Sequence, residues 1–244
     1  MNKLIVENVD ELSDLIIHDD TDLFINLKDS NGFVNINVMS NTCLYVLELG
    51  NNTKNKIRYD LGENSKVIIN KFSINTSDDI VINLSGYGAD ITYNTSIIND
   101  VHNNYIFKIN HNDSNTTSNI SNHVVNNYDA DFLLDVDAKI YNNSSNCYTN
   151  QDNKIINKSS GKNIIKPNLL VDNNFIDATH SAYIGNFDDK SMFYLQTRGV
   201  PKDIIEEMLT VGFLIEKYNL QKEEKEKIKS IIQEYIRGGE IFES

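Results

Sequence analysis

The chain has no tryptophan, only two prolines and two cysteines in 244 residues, and its 22 basic residues are outnumbered by 35 acidic ones. Each shortage excludes something. A formal net charge of -13 and a pI near 4.7 argue against a nucleic-acid binder, which needs clustered Lys and Arg to displace counterions from phosphates. The same charge disfavours an anionic membrane surface. Residues 1 to 20, MNKLIVENVDELSDLIIHDD, have acids scattered throughout. They lack the basic start and unbroken apolar core of a signal peptide or membrane span, so a cytoplasmic location is expected. Cys43 and Cys147 form at most one bridge, and in a reducing compartment they are expected as free, buried thiols. Triplets such as Asn94-Thr95-Ser96 would then carry no glycans.

Common catalytic signatures are missing too. There is no P-loop, dinucleotide fingerprint, Gly-x-Ser-x-Gly elbow, His-Glu-x-x-His helix or Cys-x-x-Cys pair, so any nucleotide hydrolysis has to come from a partner. The five histidines (His18, His102, His111, His123 and His180) include no i, i+2 or i, i+4 pair of the kind a dedicated metal site uses. A hydrogen-bonded structural role is the plain expectation for each.

What is present falls into two textures. From about residue 23 to 186, short runs of Ile, Val, Leu, Phe and Tyr alternate with polar residues and are separated by Asn, Asp, Ser and Gly. LFIN at 23 to 26, FVNINV at 33 to 38, CLYVLEL at 43 to 49 and KVIINKF at 66 to 72 read as strands. So do IVINL at 80 to 84, DITYN at 90 to 94 and NYIFKIN at 104 to 110. The Asn-rich turns lack strong hairpin dipeptides, which weakens a barrel of tight hairpins and favours a stack of β-coils. In such a stack, inward or corner Asn can hydrogen-bond from coil to coil; Asn richness could equally reflect genomic base composition.

After residue 186 helices take over. Asp188 or Asp189 offers an N-cap and Gly199 a stop for a short helix, Pro201 opens a second, and Gly238 closes a third. These helices read either as a cover for an open end of the β core or as a docking surface. The division is therefore an N-terminal segment 1–22, a β-helix core 23–186 and a helical segment 187–244.

Residues 166 to 214, KPNLLVDNNFIDATHSAYIGNFDDKSMFYLQTRGVPKDIIEEMLTVGFL, resemble the signature region of the SufB/SufD family, the scaffold proteins of the SUF iron-sulfur cluster assembly machinery. The match combines a Pro before a strand, a His among small residues, Ile-Gly, an acidic pair, Phe-Tyr-Leu, Arg-Gly and a terminal Gly-Phe. INLSGYGADI at 82 to 91, TSN at 117 to 119 and AKIY at 138 to 141 follow the family's order. The resemblance implies a right-handed parallel β-helix with a C-terminal helical segment that docks an ABC-type partner ATPase, SufC. It also implies a dimer with a second SufB/SufD-like subunit, homo- or heteromeric, a transient iron-sulfur cluster near their junction, and no catalysis by the scaffold itself.

By the same resemblance His180 occupies the place of a SufD-type histidine proposed to serve the cluster, though the next residue, usually Gly, is Ser181 here. Imidazole is a reasonable iron ligand beside thiolates. SufB-type members carry a cysteine after Phe-Tyr where this chain has Leu195, which places it nearer the SufD type. The chain is shorter than a typical member, the size expected of a two-component machine in which Cys147, or failing it Cys43, would supply the thiol. Partner binding is expected at Pro201, Ile204, Ile205, Met208, Leu209, Gly212 and Phe213, and structural roles in the family motif at Gly185, Phe193, Tyr194, Arg198 and Gly199. Two other readings stand beside this one: a structural paralogue that has lost the cluster, and an exported β-solenoid carbohydrate-binding protein.

Overall fold

A computed structural model describes residues 1–158, 160–173 and 175–238. Strands stack into two parallel sheets. The eight-stranded sheet runs β1 (Asn2–Val6), β3 (Thr21–Lys28), β5 (Cys43–Asn51), β7 (Lys66–Ile74), β9 (Asp90–Asn99), β11 (Thr117–Asn126), β13 (Cys147–Asn157), β15 (Ile176–Gly185). Facing it lies the seven-stranded sheet of β2 (Leu15–Ile17), β4 (Phe33–Val38), β6 (Lys56–Leu61), β8 (Asp79–Leu84), β10 (Asn103–His111), β12 (Phe132–Ile140) and β14 (Asn163–Val171). Odd and even strands alternate between sheets, so the chain winds as a β-solenoid. The expected β-helix is present, with three helices after it: α1 (Asp189–Thr197), α2 (Lys202–Ile215) and α3 (Lys222–Ile236).

Coiling starts at Asn2, ahead of residue 23 where alternation first becomes visible. The early strands are short and a 3-10 turn at Val9–Leu12 interrupts them, which hides the pattern. The coil also lengthens along the axis. Stacked partners are 23 residues apart at Glu48 and Lys71, 27 at Asn99 and Asn126, and 31 at Asn122 and Asn153. A drifting repeat of this kind leaves no single period to read.

Two devices hold the coils in register. Inward residues build one apolar core in which Tyr59, Tyr93 and Phe107 pack edge to face. Asparagines do the rest. Asn41, Asn52, Asn64, Asn75, Asn115 and Asn146 turn corners at φ between 50° and 60°, a left-handed conformation that Asn tolerates better than most side chains. Others bond coil to coil, as Asn122 Nδ2 does to Asn153 Oδ1 at 2.8 Å and Asn94 Nδ2 to Asn70 Oδ1 at 3.1 Å.

The helices do not cap an end of the stack. They lie on the outer face of the eight-stranded sheet, where Leu49, Phe72, Ile98 and Val125 meet Leu214, Ile215, Tyr218, Ile228 and Ile232. Polar contacts fix the seat: Ser96 Oγ donates to the Leu214 carbonyl, Tyr218 to the Lys71 carbonyl, and Lys217 pairs with Asp152 at 3.0 Å. Replacing Tyr218 with Phe is expected to cost about 1 kcal/mol in urea unfolding, the usual loss for one buried hydrogen bond. Local sequence sets the helix ends. The Asp188 carboxylate accepts from Ser191 N–H at 3.0 Å at the start of α1, and Gly199, at φ +81°, lets the chain leave it.

Candidate functional site

The last coil is the least covered part of the solenoid. Among the described residues β15 pairs only with β13 and β14 only with β12, so each sheet ends there in an unpaired edge. Leu170, Val171, Phe175, Tyr183 and Ile184 are exposed there, Phe175 at 79%. In a chain of net charge -13 this coil is nearly neutral. Lys166, Asp172 and Asp177 are the charged residues of 163–185, with His180 beside them. Free edges are usually blunted by charge or proline. This one has Lys166 and Pro167 on β14, and apolar side chains over much of the rest.

His180 sits on β15 and is exposed. It is in register with Gln151, which pairs with Ile120 and through it with Tyr93. The imidazole therefore belongs to the inward row of the sheet and is exposed only because no further coil covers it. That row turns from apolar to polar as it nears the opening. Gln151 is wholly buried, and its Oε1 accepts no hydrogen bond within the described residues.

Cys147 is buried and lies elsewhere. Its register partner is Ile176, four residues along the strand from His180, roughly 13 Å at about 3.3 Å per residue. Thr116 Oγ1 donates to its Sγ at 3.2 Å, and that hydroxyl also contacts His111 Nδ1 at 2.8 Å. His111 Nε2 meets Ser118 Oγ at 2.9 Å, and burial pushes the ring down to about 4, so it is neutral at physiological pH. The thiol thus stands in a small network with His111 rather than with His180. Cys43 corrects the expectation of two buried thiols, because it is exposed at the start of β5, five strands from β15. Among the described residues no three His, Cys, Asp or Glu side chains gather as a metal-binding group.

A second uncovered surface lies on the helices. Ile204, Met208 and Gly212 recur every four residues along α2 and are exposed, as are Phe193 and Tyr194 of α1 and Pro201 between them. A Cβ on Gly212 would meet nothing within 4 Å, so nothing among the described residues demands a glycine there. Leu209 and Phe213 are half-buried; Phe213 stacks on His123 at 4.6 Å and its carbonyl receives His123 Nδ1 at 2.8 Å. Ile205 is fully buried and faces inward. Arg198 lies over the Tyr194 ring at 5.3 Å, and a Cβ on Gly185 would strike the Tyr183 hydroxyl.

Sequence reasoning expected a hydrogen-bonded structural role for His111, as for each histidine, but missed its link through Thr116 to Cys147. It also missed a buried cluster of Glu48, Lys71 and Asp78, for which VLELG and IINKFSI do hold a signal: a charge inside an apolar strand.

Comparison with known proteins agrees with this architecture. The family model described as "SUF system FeS cluster assembly, SufBD core domain" matches residues 10–213. The iron-sulfur cluster assembly protein SufD of Bacillus subtilis (strain 168) is 33% identical over 73 residues, 29% of this chain and 17% of that protein. No described helix is long and apolar enough to cross a membrane. With the family model covering the solenoid from residue 10 onward and reaching into α2, the chain belongs to the SufBD core family of the SUF iron-sulfur cluster assembly system.

Proposed function

We propose that the protein is a non-catalytic scaffold that takes part in assembling iron-sulfur clusters while paired with a second SufB/SufD-like subunit and a SufC-type ATPase. The observation that carries this reading is the pair of separate uncovered apolar surfaces, the neutral last coil with His180 at its mouth and the exposed stripe of α2. The coil edge suits a second β-helix, because its free backbone groups and apolar side chains can be satisfied by another strand without like-charge repulsion. A cluster on that seam would draw on His180, with thiolate ligands from the partner. Cys147 would need the coil to open before its sulfur reached the same place. The helical stripe suits the ATPase, and Gly212 leaves room for a partner's side chain.

The test is co-purification of the scaffold with the ATPase from the same genome. The double variant Ile204→Asp, Met208→Asp is expected to weaken retention about tenfold, the effect of losing roughly 1.4 kcal/mol at an interface core. Retention equal to the parent protein would overturn the docking assignment. His180→Ala should leave retention intact and reduce the visible absorption gained on anaerobic reconstitution with iron and sulfide; an unchanged spectrum would count against its ligand role. A purely structural subunit is the second reading, favoured by Leu195 in place of a thiol and by the distance between Cys147 and His180.

A further inference from the structure

Where β7 turns towards β8, the interior of the solenoid holds three ionisable side chains. Lys71 Nζ lies 2.6 Å from Glu48 Oε1 and 2.6 Å from Asp78 Oδ2, and all three side chains are 0% to 2% exposed. Asp78 takes more donors: Thr53 Oγ1 at 3.1 Å and Thr76 Oγ1 at 3.0 Å on Oδ2, and the Asn55 N–H at 2.7 Å on Oδ1. Tyr59, Tyr93 and Tyr105 feel the charges of the cluster and are fully buried, and the Tyr59 and Tyr93 hydroxyls have no partner among the described residues.

Fully ionised, the cluster would carry a net negative charge with no solvent around it, a costly state. One added proton would neutralise it, and burial pushes the Glu48 carboxyl up, the direction that favours a proton there. The result is an amine held against one carboxyl, with a second carboxylic acid in contact with the same amine and water excluded. Those are the requirements of a condensation: reactants fixed in contact, a proton carrier within reach, and a donor aimed at the oxygen where charge develops.

We propose that Lys71 and Asp78 condense into an intramolecular isopeptide bond, with Glu48 as the proton carrier. Lys71, whose proton burial disfavours but Asp78 and Glu48 together hold well above the ordinary lysine range, has to pass it to Asp78 Oδ2 to become a neutral amine. The Nζ lone pair then attacks Asp78 Cγ, and the charge that appears on Oδ1 is met by the Asn55 N–H. Glu48 gives its proton to the departing Oδ2 hydroxyl and takes one from Nζ, ending as it began. One C–N bond forms, one C–O bond breaks and one water leaves, with no change of oxidation state.

The cross-link spans seven residues, so it removes little chain entropy. Its consequence is local. Lys71 also receives Tyr218 of the helical segment on its carbonyl, and Phe72 beside it lies under α2 and α3, so the bond would stiffen the platform that holds the helices.

Mass spectrometry of the intact, folded full-length chain decides the matter. The expected mass is one water below that of the sequence, and digestion should yield one branched peptide joined at Lys71 and Asp78. Glu48→Gln keeps the shape without the proton carrier and should run at the full sequence mass. Asp78→Asn should run one ammonia lighter, because nitrogen then leaves in place of oxygen. A folded wild-type chain that keeps its full sequence mass after prolonged incubation is an ion cluster only and overturns the proposal, as does a lost water traced to any other residue. The wild-type measurement decides even if a variant fails to fold.

Discussion

Phe72→Ala is expected to destabilise the protein by about 4 kcal/mol in denaturant unfolding, within the range seen when a buried aromatic is cut back to a methyl. Phe72 is fully buried between the eight-stranded sheet and the helices, in one cluster with Leu49, Leu214, Ile215, Tyr218, Ile228 and Ile232. The side chain cannot be replaced by collapse, because the sheet behind it is locked coil to coil and the helices are held at several polar points. The loss should therefore appear first as a loosened helical pair. Hydrogen exchange in α2 and α3 is expected to rise well before exchange in β7 or β9 does. Phe107→Ala, in the other core, should cost a similar amount and leave helix protection tied to global unfolding. A change below about 1 kcal/mol for Phe72→Ala would show that the helices hold their place without the sheet. The prediction bears on function because α2 presents Ile204 and Met208 only while its other face, through Ile205, Val211 and Leu214, stays buried.

The strands with clean alternation, such as β3 and β10, were legible in the sequence because one face is apolar and the other polar. β11 and β13 were not. Their inward positions include Ser118, Asn122, Thr149, Gln151 and Asn153, all buried, so apolar alternation disappears where hydrogen-bonded polar stacks take over the interior. The helices were readable from caps and stops, since Asp188, Pro201, Gly199 and Gly238 act locally. Their seat was not, because it depends on Leu49, Phe72, Ile98 and Val125, outward-facing residues that are apolar only where helices cover them. His180 was picked out by its motif, and its exposure follows from being on the last coil, which no local pattern encodes. The link of Cys147 to His111 through Thr116 joins residues 31 to 36 positions apart and depends on coil length, so it needed the three-dimensional register.

Lowering the pH from 7 to 4 is expected to remove about 3 kcal/mol of stability through His111 alone. In the unfolded chain its ring titrates near its ordinary 6.5, whereas burial lowers it to about 4 in the fold. Between those values the unfolded state binds a proton that the native state refuses, so stability is complete above about pH 6.5 and declines until the folded ring itself protonates near 4. A difference of about 2.5 pH units at about 1.4 kcal/mol each gives about 3.5 kcal/mol in full, of which about 3 is lost by pH 4, where the folded ring is half protonated. His123, lowered by burial under Phe213, pushes in the same direction. Wild type must therefore be compared with His111→Gln, which loses stability at neutral pH and keeps the contribution of His123. The separation between the two unfolding curves should shrink by about 3 kcal/mol on acidification; a separation that does not change with pH would mean the ring is already solvated in the fold. Thr116 Oγ1 joins this imidazole to Cys147, so a ring that takes on a second N–H between Thr116 and Ser118 disturbs the same network. Acid should thus expose the Cys147 thiol to alkylating reagents before the solenoid unfolds as a whole, and in His111→Gln that exposure should lose its dependence on pH.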